Sequence, residues 1–215
     1  MAYNKYTMSI MRIVKRSAIK DDKAKTVFEV FDRIIVKMTY PWKFDVIELL
    51  MDDKNSLLVN DDAVSISINY NDPIVQDKDK KGITALILHN LYHIISRDKY
   101  NLPELPHFIE DAIANREMIA NGLDDLVFYM SYLFLLRKRR INNIEGYLGI
   151  NTPWLSFYKL DNYNTEFLKS MLIKIKNRSE FEQAAKKLIE AMKKDLREEK
   201  NLNYAINAYE VMLCR

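Results

Sequence analysis

The chain predicts an α+β fold with a small sheet early and a mainly helical region after it, and three observations carry that expectation. Residues 63–70 alternate apolar and polar side chains, Val64, Ile66, Ile68 and Tyr70 against Ser65, Ser67 and Asn69, which is the period of a half-buried strand. Residues 80–96 form a proline-free run, apolar on nearly all sides through Ile83, Leu86, Ile87, Leu91, Ile94 and Ile95, the pattern of a buried helix. Residues 165–176 and 179–200 are amphipathic at helical spacing, so the last part of the chain is expected to be helical.

The elements follow in order. Arg12, Lys15, Arg16 and Lys20 interrupt any secretory apolar core in the first twenty residues. Residues 23–38 place Val27, Phe28, Val30, Phe31, Ile34 and Ile35 at helical spacing, with Pro41 as the stop. Residues 44–51 and 56–59 are weaker strand candidates, set apart by the turn-rich segments 52–55 and 60–62. Charged residues 77–81 read as a solvated loop or first turn, and Arg97-Asp98-Lys99 ends the apolar pattern of the helix after it. Pro106 near the start and Gly122 after the end bracket a helix over 106–121. A helix over 124–140 begins acidic and ends in four cations that complement its dipole. Its apolar stretch, 126–136, is about half the roughly twenty residues of a membrane span and is expected to be buried. Gly146, Gly149 and Pro153 make 141–153 the expected connection between subregions. Ser179 and Glu182 have the spacing of a capping box, and 203–213 adds a last helix. The division expected is 1–122 and 123–215, as two regions or as one packed domain.

Composition excludes more than it assigns. With 33 basic and 30 acidic side chains the formal charge is +3, too balanced to call for nucleic acid or an anionic membrane. A single cysteine, Cys214, cannot form an internal disulfide, which suits a reducing, cytoplasmic compartment. Neither a phosphate-binding glycine loop nor a serine elbow is present.

The chemistry concentrates in His89-Asn90-Leu91-Tyr92-His93. This is the HExxH zinc motif with Asn in place of Glu: two imidazoles one helical turn apart can share a metal ion. The Glu that normally takes a proton from metal-bound water is replaced by an amide with no titratable oxygen. All three histidines, His89, His93 and His107, fall in one short span. Downstream, Glu110, Asp111 and Asn115 lie on the helix expected over 106–121.

Over residues 64–122 the chain resembles the gluzincin metallopeptidases, in particular the small archaeal minigluzincins. The resemblance implies a zincin-like domain, with a small sheet packed on the active-site helix and Zn²⁺ held by His89, His93 and a downstream carboxylate. It sets Asp111 at the ligand position and Asn115 at that of the residue supporting a ligand histidine; Glu110, one residue earlier, is the competing ligand. It further implies that strand 63–70 lies beside a cleft where its edge pairs with an extended peptide. With Asn90 at the general-base position, hydrolysis is expected to be weak or lost.

Blander readings accompany each residue. The histidine pair suits two satisfied core side chains as well, Glu110, Asp111 and Glu117 a solvated face, and Tyr70 and Tyr92 the core. His107 reads as solvent-facing, with a third histidine ligand as the other option. The alternative function is a metal-free helical protein-interaction domain, and nucleic-acid binding through Arg137, Lys138, Arg139 and Arg140 ranks below it.

Overall fold

The computed structural model describes residues 11–18, 21–60, 62–160 and 165–213; readings that fall on Lys20, Asp61 and Cys214 lie outside them. It is a mixed α/β chain in which a four-stranded sheet, with one helix between its first two strands, is followed by a series of helices. Two compact units divide at Asn90–Leu91, upstream of the 122–123 division expected above, and the division falls inside a continuous helix.

The first described element of the first unit is β1 (Arg12–Ser17), where the sequence pattern predicts no strand. Five of its six residues are cationic, polar or exposed enough to hide the alternation, and it is an edge strand guarded by charge. Lys15 pairs with Asp32 at 2.7 Å and Arg16 with Glu48 at 3.1 Å. Helix α1 (Asp22–Lys37) starts where the Asp21 carboxylate accepts from the amides of Lys23 and Ala24, and buries Ala24, Val27, Val30, Phe31, Ile34 and Ile35 as expected. Strands β2 (Val46–Asp52), β3 (Ser56–Val59) and β4 (Ala63–Asn69) complete the sheet in the order β1-β2-β4-β3. β2 pairs in parallel with β1 on one side and with β4 on the other, and β3 is antiparallel to β4. Alternate residues Ile47, Leu49 and Met51 on β2 and Val64, Ile66 and Ile68 on β4 form the buried rows.

This order corrects the role expected of the strand at 63–70. β4 is paired with β2 along one edge and with β3 along the other, so it has no edge to offer a peptide. The hairpin closes because Asn60 donates its amide to the Ala63 carbonyl at 2.8 Å, folding β3 back to become the outer strand. A short α2 (Pro73–Gln76) follows, capped by Asp72 and opened by Pro73. Helix α3 (Lys80–Tyr100) then runs four residues past the expected end.

In the second unit, α4 (His107–Ala120) has Pro106 as its N-cap and Asn121 as its C-cap, matching the expected bounds. α5 (Asp124–Arg137) stops before the cations end: Lys138 is extended and Arg140 bridges to Lys176. Only Arg137 therefore sits in the last helical turn. The expected burial of 126–136 is also corrected, because Val127, Ser131 and Leu135 are buried while Phe134 and Leu136 are 43% and 44% exposed. One face of α5 carries Phe128 and Tyr132 against Phe167, with ring centroids 6.3 and 6.2 Å apart.

The expected connection at 141–153 is instead α6 (Ile144–Ser156), whose Asn143 cap accepts from the Gly146 amide. Gly149 and Pro153 lie inside it. Tertiary burial overrides their low helix propensity, since Tyr147, Leu148, Ile150, Trp154 and Leu155 are all covered. α7 (Thr165–Leu172) is shorter than the 165–176 expected, and α8 (Ser179–Met192) has Arg178 at its N-cap with no side-chain cap bond. The Ser179–Glu182 capping box therefore does not form. The helix expected to continue to 200 breaks where Asp195 accepts from the Arg197 amide at 3.1 Å, and α9 (Glu199–Leu213) begins beyond it.

α3 and α4 are joined by charge. Glu117, which could have been solvated, is buried, and accepts from Lys99 Nζ and, at 2.6 Å, from Tyr100 Oη, with Arg197 Nη1 3.7 Å away. Burial pushes its carboxyl up, but the Lys99 and Tyr100 hydrogen bonds and the Lys99 and Arg197 charges outweigh it, leaving it below the usual glutamate value. A lowered native pKa stabilises above the unfolded value, about 4.3, and that contribution disappears as pH falls through the native value. Accordingly, the stability advantage of the parent over Glu117→Gln in urea titrations should shrink steadily below about pH 4.3; a pH-independent difference would show that ionisation of Glu117 contributes nothing.

Candidate metal centre

α3 supplies the first two side chains. His89 and His93 lie one turn apart on the same side of the helix, His93 buried and His89 half-buried. α4 supplies the third. Asp111 Oδ1 lies 3.1 Å from His93 Nε2, and one donor atom from each of His89, His93 and Asp111 falls within 4.8 Å of the other two. Four-coordinate zinc with bonds of about 2.0–2.1 Å sets its ligand atoms roughly 3.4 Å apart. The His93–Asp111 separation is already close to that edge, and the set of two imidazoles and one carboxylate is chemically suited to a metal ion.

Glu110 takes a different place. Its side chain is only 7% exposed and is gripped by Arg97, which donates from Nη2 to both carboxylate oxygens at 2.8 and 2.9 Å and from Nε at 3.1 Å. That grip uses both oxygens, so Glu110 is outside the converging trio. It sits behind the cluster, with Oε2 3.9 Å from His93 Nδ1, the nitrogen that a metal-binding imidazole turns toward its supporting group. The charged run 97–99 was expected to end the helix. Instead α3 continues because Arg97 and Lys99 find the buried carboxylates of Glu110 and Glu117 on α4. These partners had a visible signal: Arg97 follows His93 by four residues, on the same helical side.

The remaining expected residues divide. Asn115 is buried and donates from Nδ2 to Ser156 Oγ at 3.3 Å, which holds α4 against α6. Asn90 turns its amide back along its own helix, donating to the Leu86 carbonyl at 2.9 Å. Tyr92 is a core side chain, its hydroxyl pushed up first by burial and then by the Glu117 charge. His107 is exposed over 82% of its side chain, as expected, yet its ring stacks on His93 with centroids 5.8 Å apart and its Nε2 is 3.7 Å from Asp111 Oδ1.

The arrangement could hold a metal ion through one ligand atom from each of three side chains. No described helix is long and apolar enough to cross a membrane. No protein-family model, curated protein or solved structure matches the chain.

Proposed function

We propose that the chain is a zinc-binding, metallopeptidase-like protein with a zincin-like arrangement, whose peptide hydrolysis is weak or lost because Asn90 stands where the general base belongs. The observation that carries this reading is the convergence of His89, His93 and Asp111 within 4.8 Å. Support comes from chain order, with strand β4 ahead of the histidine helix α3 and the carboxylate helix α4 after it. Bound zinc would supply Lewis acidity toward a peptide carbonyl. The chain's own residues do the rest: Asp111 and the two imidazoles bind, and Glu110, fixed by Arg97, sets a negative charge 3.9 Å from the second nitrogen of His93. Asn90, an amide hydrogen-bonded to Leu86, can neither take nor store the proton that peptide hydrolysis requires. The partner we assign is a peptide or protein segment, in a cytoplasmic setting, with neither nucleic acid nor membrane required.

Purified protein should contain about one zinc ion per chain. Metal analysis beside His89→Ala and His93→Ala checks this, and equally negligible zinc in all three would favour the metal-free interaction domain instead. One observation already suits that second reading: the His93–Asp111 contact at 3.1 Å satisfies a buried imidazole without a metal.

The third ligand is separable from its neighbour. Asp111→Ala should weaken zinc most, whereas Glu110→Ala and Asn115→Ala should each cost about ten- to a hundredfold in affinity through lost orientation. Competition titrations with a chromogenic chelator rank them, and a larger loss for Glu110→Ala than for Asp111→Ala would move the site by one residue.

A further inference from the structure

The sheet ends in two strands of opposite character. β1 carries Arg12, Lys15 and Arg16, the kind of charge that keeps an edge strand from pairing with another chain. β3, the other outer strand, reads Ser56-Leu57-Leu58-Val59 and holds no charged side chain. Among the described residues it is paired on one side only, with β4. The Asn60 amide on the Ala63 carbonyl at 2.8 Å makes that couple a hydrogen-bonded pair, and alternation along the register makes Leu58–Ser65 and Ser56–Ser67 hydrogen-bonded pairs too. The amides and carbonyls of Leu57 and Val59 are therefore turned outward. Leu58 is 62% and Val59 37% exposed. Leu58 also stands in a row whose next members, Ser65 and Glu48, are polar and bonded to each other at 3.0 Å.

We propose that β3 is the interface of a homodimer, in which two copies of the chain pair antiparallel through this strand and join their sheets into one. An isologous pair centred on Leu58 sets the outward groups of Leu57 against those of Val59 of the second copy, and those of Val59 against Leu57, as two hydrogen-bonded pairs about the two-fold axis. Leu58 then meets its own copy as the central non-hydrogen-bonded pair, where side chains approach most closely. Charge selects this register. Lys54 and Asp62 lie four residues before and four after Leu58, so each lysine falls opposite the aspartate of the second copy. Centring on Leu57 instead sets Asp52 against Asp62, and like charges directly opposite destabilise a strand pair. Centring on Val59 sets Leu58 against Asn60 and forms no ion pair. Pairing β3 with β1 of a further copy would repeat without closing, and the cations of β1 stand against it. The strand is short, so the dimer belongs to the small, reversible class of interfaces. Nothing in this inference depends on the metal-binding reading.

The test is sedimentation velocity on the full chain from low micromolar to submillimolar concentration. The parent should pass from monomer to dimer over that range. Leu58→Lys, which brings two cations together on the two-fold axis, should raise the dissociation constant about tenfold or more. Lys54→Glu and Asp62→Lys should each weaken the dimer about two- to tenfold, and the two changes together should restore it. Lys54, Leu58 and Asp62 are all exposed, so far-UV circular dichroism and thermal unfolding of the dilute variants should match the parent. A parent that stays monomeric throughout would overturn the proposal, and so would a dimer indifferent to Leu58→Lys. A dimer weakened by Leu58→Lys with no recovery in the Lys54→Glu, Asp62→Lys double variant would overturn the register centred on Leu58.

Discussion

Asn90→Glu should turn a protein with little or no peptidase activity into one whose cleavage of an unfolded protein substrate is measurable and sensitive to chelators. The parent amide donates to the Leu86 carbonyl at 2.9 Å, a bond a carboxylate cannot make, since it has no hydrogen to give and is repelled by the carbonyl oxygen. The new side chain is thereby released from the helix backbone one residue after His89. General-base catalysis contributes about a hundred- to ten-thousandfold, and that is the gain expected. Adding His93→Ala should abolish the gain by removing an imidazole ligand. That variant keeps the new Glu and so controls for contaminating proteases. If folded, zinc-loaded Asn90→Glu cleaves no better than the parent over a broad peptide panel, the site lacks more than its base, and a binding role replaces a catalytic one.

Arg116→Met should be the most destabilising single change in the helical unit. Arg116 is 8% exposed, and its guanidinium donates from Nη2 to the carbonyls of Leu155 at 3.1 Å and Met192 at 2.8 Å, and from Nη1 to that of Lys194. It thus satisfies the carbonyl ends of α6 and α8 from a position on α4, where helices leave unpaired acceptors. Burial pulls it down to about 10, assisted by the Arg197 charge and opposed by Asp195; it remains protonated at neutral pH. Methionine fills similar volume but removes three donor bonds from a charged group, at a cost of about 3–5 kcal/mol. In a chain of this size that corresponds to a fall in melting temperature of roughly 10 °C. Arg116→Lys, with one ammonium for three acceptors spread over two helix ends, should recover only part of it. A change of under about 1 kcal/mol in chemical unfolding would mean that water replaces the guanidinium at those carbonyls.

Local patterns were legible wherever one residue type and its spacing carried the signal. The buried stripe of α1, the alternation of β4 and the pairing of His89 with His93 are set by periods of 3.6 and 2, and the bounds of α4 by Pro106 and Gly122. Elements stabilised from outside were not legible. β1 is a strand because its backbone pairs with Val46 through Met51, although its side chains read as a cationic interruption. α6 is a helix through Gly149 and Pro153 because its surroundings bury it.

The candidate site divides along the same line. Residue identity and spacing alone determined that His89, His93, His107, Glu110 and Asp111 occur together on two helical segments, and that Asn90 directly follows His89. The choice between adjacent carboxylates was tertiary. Glu110 and Asp111 differ by one methylene and one residue, and local rules treat them alike. Only the packing of α4 beside α3 turns Asp111 to His93 Nε2 and Glu110 into the fork of Arg97. Successive residues on a helix point about 100° apart, so the register between the two helices gave one carboxylate to the imidazole cluster and the other to the guanidinium.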